Sequence, residues 1–340
     1  GGAERKMATL STALDYYFGP LKLNAVFSPL HATNRIPLGD DDFPVKLPVY
    51  PDEAEIYPIT GLPYELGIYG TLSTDLCDFS ASYFSGYDRT FNLSGINVYG
   101  RGSDISFPQV DIVYGYRQTD VMGLGFTFLG DFFTLRSDVG YFSTKDNNNS
   151  LDRESSSLSS IYDSLHLSYP LLEKAEYLQS TIQLETELPF KINITVQHFM
   201  HDTLSYSSDS LPIDQEIDIP NLQIDPEEMM PSNFFTPGMG VPLAILTKEA
   251  FLLIMDRTFF DDRLKLSYTS MMDVASYEKI SGISGSLSEL RLEYTMAINL
   301  EGLISLTRVS GSNNHPDGEN YPFKRMEDFS HIRFELKYFF

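Results

Sequence analysis

Hydrophobic and polar residues alternate over short stretches along the whole chain. In the segment 177–188, the apolar residues Ile182 and Leu184 alternate with the polar residues Gln183 and Glu185. A period of two residues over roughly ten positions is the pattern of a β-strand whose two faces meet different surroundings. The sequence therefore predicts an all-β protein in which each strand has one apolar and one polar face.

Segments with this alternation occur in pairs that are joined by short turns. The predicted strands are 7–18, 21–29, 64–73, 76–85, 121–130, 132–142, 175–188, 191–200, 249–259, 263–274, 286–300, 303–310 and 328–340. The turn-forming pairs are Gly19 and Pro20, Thr74 and Asp75, Gly130 and Asp131, Pro189 and Phe190, Asp261 and Asp262, and Glu301 and Gly302. The remaining connections are long and polar, and they cover 28–63, 86–121, 143–174, 201–248, 275–285 and 311–327.

Short turns at one end of the strands and long loops at the other are typical of a transmembrane antiparallel up-and-down β-barrel. Such a barrel has short periplasmic turns and long extracellular loops, and we expect residues 1–340 to form one domain of this kind. Bacterial single-chain barrels have an even number of strands, so we expect about 14 (roughly 12–16). The extra strand would come from a segment upstream of residue 1, because the first of the 13 predicted strands otherwise lacks an antiparallel partner. The sequence begins without a secretory signal, so we expect it to be mature or truncated. The alternative is a further membrane strand at 110–116.

Composition and charge agree with this fold and argue against other classes. The chain has 21 Tyr, 24 Phe and no Trp, a bias that suits strands and aromatic girdles at a membrane interface. The longest apolar runs, such as 250–255, are much shorter than the roughly 18 residues that a membrane helix needs. The net charge of −23 argues against nucleic acid as a partner, because phosphate binding needs clustered Lys and Arg.

The last predicted strand ends in a series of large apolar residues at alternate positions. Alternate positions carry Ile332, Phe334, Leu336, Tyr338 and Phe340. This tail, IRFELKYFF, resembles the C-terminal strand by which bacterial outer-membrane proteins are recognised for assembly. The resemblance implies a Gram-negative cell envelope, contact with outer-membrane lipid and lipopolysaccharide, and the barrel-assembly machinery as a partner.

Two segments near the start, YYFGPLKLNAVFSP and YELGIYGTLSTDLCDFSASYFSGYDR, resemble more loosely those of porin-like and export-type barrels. This similarity covers about the first third of the chain and implies no particular substrate. A soluble β-sandwich also shows alternation and is the alternative fold. The unequal loop lengths, the charged face of several strands and the C-terminal tail favour the barrel.

Charged and polar residues at the positions that face inward would line the lumen of such a barrel. The predicted lining residues are Arg136, Asp138, Gln183, Glu185, Gln197, Lys265, Thr269, Arg291, Glu293, Arg333, Glu335 and Lys337. Opposed charges on a pore wall tune the selectivity for ions or solutes. The alternative interpretation is that these residues form cross-strand ion pairs that hold the sheet together.

Other candidate chemistry is weak. The acidic stretches, residues 40–42 and 209–228, could attract cations or cationic partners, but they lack EF-hand spacing and have the composition of solvated loops. His198 and His201 are three residues apart, which does not place both on one face of a strand. The sequence has no Gly-x-Ser-x-Gly, Walker, GxGxxG or HExxH motif. We therefore assign no catalytic residues, cofactor or metal.

The function that the sequence favours is a porin-like channel of the bacterial outer membrane, which passes small solutes through a polar, charged lumen. The alternative is a scaffold barrel that sheathes or anchors a protein partner, such as an electron-transfer protein, or that acts through its long acidic surface loops. An enzyme whose catalytic groups come from distant strands is a third hypothesis.

Overall fold

The computed structural model describes residues 10–33, 63–101, 104–148, 151, 164–208, 235–276, 282–316, 318 and 321–339. Within these ranges the protein is all-β, with 68% strand and 4% helix, as the alternation predicts. No helix within these ranges is long and apolar enough to cross a membrane.

The strands are numbered in chain order. They are β1 (Thr12–Phe18), β2 (Leu21–Ser28), β3 (Glu65–Ser73), β4 (Cys77–Tyr87), β5 (Asn92–Arg101), β6 (Asp104–Gly115), β7 (Gln118–Leu129), β8 (Phe133–Lys145), β9 (Ser164–Pro170), β10 (Lys174–Leu188), β11 (Ile192–Ser207), β12 (Glu249–Phe259), β13 (Leu264–Asp273), β14 (Gly285–Ala297), β15 (Leu300–Gly311) and β16 (His331–Tyr338). The helical elements are short: α1 (Pro322–Arg325) and two 3-10 turns, Pro242–Ile245 and Glu327–Phe329.

Thirteen strands form one antiparallel sheet in the order β1-β2-β3-β4-β7-β8-β10-β11-β12-β13-β14-β15-β16. These are the strands that the sequence predicts, although several extend further into the long connections. Strand β11, for example, ends at Ser207, whereas the alternation predicts an end at residue 200. Within the described residues, β1 and β16 each pair with a single neighbour and form the two edges of the sheet.

The other three strands form a separate sheet in the order β6-β5-β9. Strands β5 and β6 lie in the connection 86–121, and β9 lies in the connection 143–174. The alternative of a further membrane strand at 110–116 is therefore wrong for the large sheet, because residues 110–115 belong to β6, which pairs with β5. Alternation shows that the two faces of a strand differ, but it does not show which sheet the strand joins.

Tight turns and long connections lie at opposite ends of the large sheet. The turn between β10 and β11 illustrates the local chemistry, since Phe190 and Lys191 have φ angles of 70° and 56°. Two consecutive left-handed residues give a hairpin turn whose twist matches that of the flanking strands. Gly19, with φ of 54°, occupies the same kind of position between β1 and β2.

The turn between β14 and β15 falls earlier than predicted. It is formed by Ile298 and Asn299 and not by Glu301 and Gly302. Gly302 lies inside β15, where an added Cβ atom would come within 2.6 Å of the terminal methyl group of Met296. The methionine side chain is flexible and can move away, so the position of Gly302 does not require a glycine. Asparagine, which is also turn-forming, lies in the turn.

The two faces of the 13-stranded sheet differ in chemistry. On the face that we call the apolar face, Leu14 in β1, Leu124 in β7 and Phe334 in β16 are 71%, 68% and 74% exposed. Further large exposed side chains of this face are Leu23, Ile68, Phe79, Tyr83, Ile182, Leu184, Leu266, Leu290, Leu292, Ile304, Leu306 and Ile332. Within the described residues, no layer of structure covers this face from the first strand to the last.

The opposite face, which we call the polar face, changes character along the strands. Near the tight turns it carries charged and hydroxyl side chains, and near the long connections it is apolar and buried. Two segments pack on this buried end: residues 235–248, the first cover segment, and residues 321–330, the second cover segment. The first cluster contains Phe142, Ala175, Tyr177, Tyr206 and Phe235. The second contains Phe199, Ala250, Met271, Val309, Tyr321 and Phe323.

The second cover segment approaches β15 closely enough for a test of packing. A methyl group added at Gly311 would lie 2.5 Å from the backbone nitrogen of Lys324, so Gly311→Ala must displace the segment. We expect a stability loss of about 1–3 kcal/mol, the usual cost of overpacking, measured by thermal unfolding with circular dichroism. Gly67→Ala in β3 is the control, because nothing lies within 4 Å of its added carbon. Equal melting temperatures would contradict this packing.

Candidate functional site

The side chains that the sequence predicts to line a lumen all lie on the polar face. Arg136 pairs with Gln183, which pairs on its other side with Gln197. Directly opposite residues of neighbouring strands share a face. The same register places the remaining members on this face: Asp138, Glu185, Lys265, Thr269, Arg291, Glu293, Arg333, Glu335 and Lys337. Their role as lining of a lumen stays a prediction.

Opposite charges on the polar face are paired. The guanidinium of Arg136 lies 3.5 Å from the carboxylate of Glu185, and the ammonium group of Lys265 lies 3.7 Å from Asp256. Further pairs are Lys22 with Asp15, Arg291 with Glu293, Arg333 with Glu335, and Lys337 with Glu335. Solvent-exposed pairs of this kind each contribute only about 0–1 kcal/mol to stability.

A polar pocket of about 240 Å³ opens on this face across β12, β13 and β14. Its lining residues are Ile254, Asp256, Lys265, Ser267, Thr269, Glu289, Arg291 and Glu293. Carboxylates outnumber basic groups in this lining, and two hydroxyl groups add hydrogen-bonding capacity. The pocket is therefore suited to a small polar solute with a positively charged or hydroxyl group.

The first cover segment is held to the polar face through its backbone. The side-chain oxygen of Gln179 accepts a hydrogen bond from the Val241 N–H at 2.7 Å, and the hydroxyl of Tyr177 donates to the Met239 carbonyl at 3.1 Å. Gln179 and Tyr177 alternate in phase with Gln183, so the same face that is open near the tight turns is closed by the chain itself near the long connections.

Arg117 ties the first cover segment to two other long connections. Its side chain is 1% exposed, and its guanidinium lies 2.7 Å from Asp88 and 2.6 Å from Glu173. It also donates to the carbonyl of Thr236 at 2.6 Å and stacks on the ring of Phe235. Burial alone would lower the pKa of Arg117, but the two carboxylates raise it above its ordinary value. The guanidinium therefore stays charged.

Asp273, fully buried at the end of β13, joins both cover segments. It accepts hydrogen bonds from the hydroxyl of Thr247 at 2.7 Å and from the hydroxyl of Tyr321 at 2.5 Å. In the second cover segment, Lys324 donates a hydrogen bond to Glu327 at 2.8 Å and thereby lowers the pKa of that carboxyl group. The two segments thus form one connected lid over the buried end of the polar face.

The remaining predicted features are the acidic stretches and the two histidines of β11. The acidic stretches at 40–42 and 209–228 lie outside the described residues. His198 lies 2.8 Å from Glu249, whereas His201, on the other face of β11, packs its ring against Tyr177. Among the described residues, no group of His, Cys, Asp and Glu side chains is arranged to hold a metal ion.

Strand β16 presents its predicted assembly residues on the apolar face. Ile332, Phe334, Leu336 and Tyr338 are all exposed there, and they alternate with the charged residues of the polar face. Phe340 lies outside the described residues. These side chains are accessible to a partner that binds this face of the strand.

Sequence reasoning missed the residues that close one end of the polar face, above all Arg117, Gln179 and Tyr177. A signal for them was present. Along β8, β11 and β13 the positions of the polar face change from charged or hydroxyl residues to Phe142, Phe199 and Met271 toward the long connections. This change indicates that the face is covered there, although it does not show which segment covers it.

Comparisons with known proteins add no assignment. No protein-family model matches the chain, and no curated protein matches it as a relative. The functional argument therefore rests on the geometry and chemistry of the chain alone.

The buried cluster around Arg117 predicts a large effect of one substitution. Arg117→Met retains the length of the side chain but leaves Asp88 and Glu173 buried without their cation. Removing one partner of a buried ion pair costs about 3–5 kcal/mol, so we expect a markedly lower melting temperature and faster proteolysis of the long connections. Arg136→Met is the matched control, because its ion pair is exposed and should change stability by less than about 1 kcal/mol. Similar effects of both variants would contradict the assigned role of Arg117.

Proposed function

We propose that the chain forms a transmembrane antiparallel β-barrel in a bacterial outer membrane and acts as a porin-like channel for small solutes. The observation that carries the proposal is the contrast between the two faces of one 13-stranded sheet. Soluble monomers rarely expose apolar patches larger than a few hundred Å², whereas here the apolar side chains are exposed on strands from β1 to β16. Hydrocarbon on one side and water on the other satisfy both faces.

Closure of the sheet follows from the proposed environment. Inside hydrocarbon every backbone N–H and C=O needs a partner within the protein, so the edges β1 and β16 cannot stay unpaired. In a meander of 13 antiparallel strands, the first and the last run parallel to each other. The barrel closes either through a parallel β1–β16 pair or through one further strand, which gives about 14 strands with antiparallel pairing throughout.

The proposed lumen is a polar passage that narrows toward the long connections. A barrel of about 14 strands encloses more space than the side chains of an eight-stranded barrel fill. The charged residues of the polar face line this space near the tight turns, which we assign to the periplasmic side. The two cover segments constrict it on the extracellular side. A constricted passage with charges of both signs favours small hydrated solutes.

The first cover segment also bears on the alternative function, a barrel that sheathes a protein partner. A partner inserted from the extracellular side would need the surface formed by Tyr177, Gln179 and Phe199, and this surface already binds the chain's own residues. The occupied polar face therefore favours a channel. In the proposed setting, lipid and lipopolysaccharide contact the apolar face, and the barrel-assembly machinery binds β16.

Two neighbouring residues of β10 test the proposed membrane environment. Leu184→Arg places a charge on the apolar face, where lipid exposure costs about 2–4 kcal/mol at the bilayer midplane. Gln183→Arg, the control, places the same charge on the polar face. We expect Leu184→Arg to reduce folding into lipid vesicles strongly, and Gln183→Arg to insert normally, as measured by protection from added protease. Equal insertion of both variants would argue against a lipid-facing apolar face.

The transport proposal is tested by single-channel recording in planar lipid bilayers. We expect discrete open events whose conductance rises several-fold when residues 237–246 are replaced by a short Gly-Ser linker, because the constriction is removed. The same linker in place of the exposed turn residues 74–76 is the control and should leave the conductance unchanged. Closed membranes despite correctly folded, inserted protein would contradict a channel function.

A further inference from the structure

We infer that the lumen of the proposed channel conducts cations in preference to anions, and that the free carboxylates of Asp138 and Glu289 set this preference. The inference rests on the proposed channel function and names the class of solute that the channel favours. The observation behind the inference is a difference in ion pairing on the polar face. Among the residues that the structure describes, the basic side chains are all in ion pairs, whereas some acidic side chains are not.

Every basic side chain of the polar face lies next to a carboxylate. Within the described strands, each of them has a carboxylate within 3.7 Å: Lys22, Arg136, Lys265, Arg291, Arg333 and Lys337. The first four each have a carboxylate of their own, whereas Arg333 and Lys337 share Glu335. Each basic group on this wall is therefore held in an ion pair when an anion enters the passage. Acidic residues are in excess on the same face, so some carboxylates are left without a basic partner.

Asp138 on β8 is one of these free carboxylates. Its direct neighbours across the sheet are Gly125 on β7 and Thr181 on β10, neither of which carries a charge. A Cβ atom at Gly125 would lie 2.7 Å from the carboxylate oxygen of Asp138, so the missing side chain of Gly125 makes room for it. Arg136, two residues away on the same face, is paired with Glu185. The charge of Asp138 is thus exposed and uncompensated within the described residues.

Glu289 on β14 is another free carboxylate of this face, and it lies in the polar pocket. Its neighbours across the sheet are Thr269 and Thr307. The nearest basic residue along the strand, Arg291, forms its ion pair with Glu293. The pocket lining therefore carries one carboxylate more than it carries basic groups. A cation in the pocket would replace some of its lost hydration with carboxylate and hydroxyl oxygens.

Free carboxylates act on passing ions more strongly than paired ones. An ion pair has a short-ranged field, whereas a single charge in a narrow, water-filled passage with low-dielectric walls attracts counter-ions over distances of about one Debye length, roughly 8–10 Å at physiological salt. Rings or clusters of carboxylates favour cations in channels for this reason. Asp138 and Glu289 lie on different parts of the proposed wall, so their fields act together on the lumen.

The test is the reversal potential of the reconstituted full-length protein in a potassium chloride gradient. We expect potassium to be several-fold more permeable than chloride. In the double variant Asp138→Asn with Glu289→Gln, the permeability ratio should fall toward one, while the unitary conductance at high salt changes little. Each substitution preserves the shape of the side chain, and each single variant should give an intermediate ratio.

The matched control removes a complete ion pair of the polar face outside the pocket. Asp15→Asn combined with Lys22→Gln leaves the net charge unchanged, and the permeability ratio should stay at the wild-type value. Open channels with no preference or with chloride preference would overturn the inference and leave the proposed channel intact. A ratio that the Asp138 and Glu289 variants do not alter would equally overturn it. Absence of any channel would overturn the proposed function, and the inference with it.

Discussion

Large apolar side chains are exposed on one face of a single sheet, on strands from β1 to β16. Burying a large apolar side chain is worth about 1.5–3 kcal/mol relative to leaving it in water, and here such side chains recur on every part of the face. A sheet with this surface is stable where hydrocarbon replaces water. In the proposed membrane setting backbone groups must pair within the protein, and regular strands connected by tight turns meet this requirement.

The end of the sheet near the long connections is stabilised in a different way. There the polar face is covered by the chain itself, and the cover is held by a few buried polar groups rather than by apolar contacts alone. Arg117 joins three connections through Asp88, Glu173 and Thr236, and Asp273 joins the two cover segments. Long loops can adopt many arrangements, and a buried polar network of this kind stabilises one of them. In the proposed channel it gives the narrow part of the passage a defined shape.

Much of this arrangement is accessible from the sequence because a period of two reports directly on the two faces of a strand. The strands of the large sheet and the shared face of residues such as Arg136, Lys265 and Glu335 follow from alternation, and five of the six tight turns follow from turn-forming residues. Strands β5 and β9 were not predicted, because short, irregular segments in long polar connections carry no clear period. The turn at Ile298 and Asn299 was misplaced, because Gly302 is a turn-forming residue that lies inside a strand.

The cover segments could not be derived from local pattern at all. Their contacts join residues far apart in the chain, such as Arg117 with Thr236 and Thr247 with Asp273. A loop with a few charged and hydroxyl residues has the same composition whether those residues are solvated or buried in a network. The apolar residues at one end of the polar face are the local sequence feature that indicates a covering segment. They do not show which residues form that segment.

The central claim, that the apolar face contacts hydrocarbon, is tested most directly by spin labels placed one at a time at residues 181–186 of β10. Cys77→Ser removes the native thiol for this purpose. In lipid vesicles, labels at 182, 184 and 186 should collide mainly with oxygen, which dissolves in hydrocarbon, and labels at 181, 183 and 185 mainly with a water-soluble nickel complex. An apolar face in hydrocarbon gives this alternation with a period of two. Labels at 182, 184 and 186 that meet the nickel complex as readily as their neighbours would contradict it.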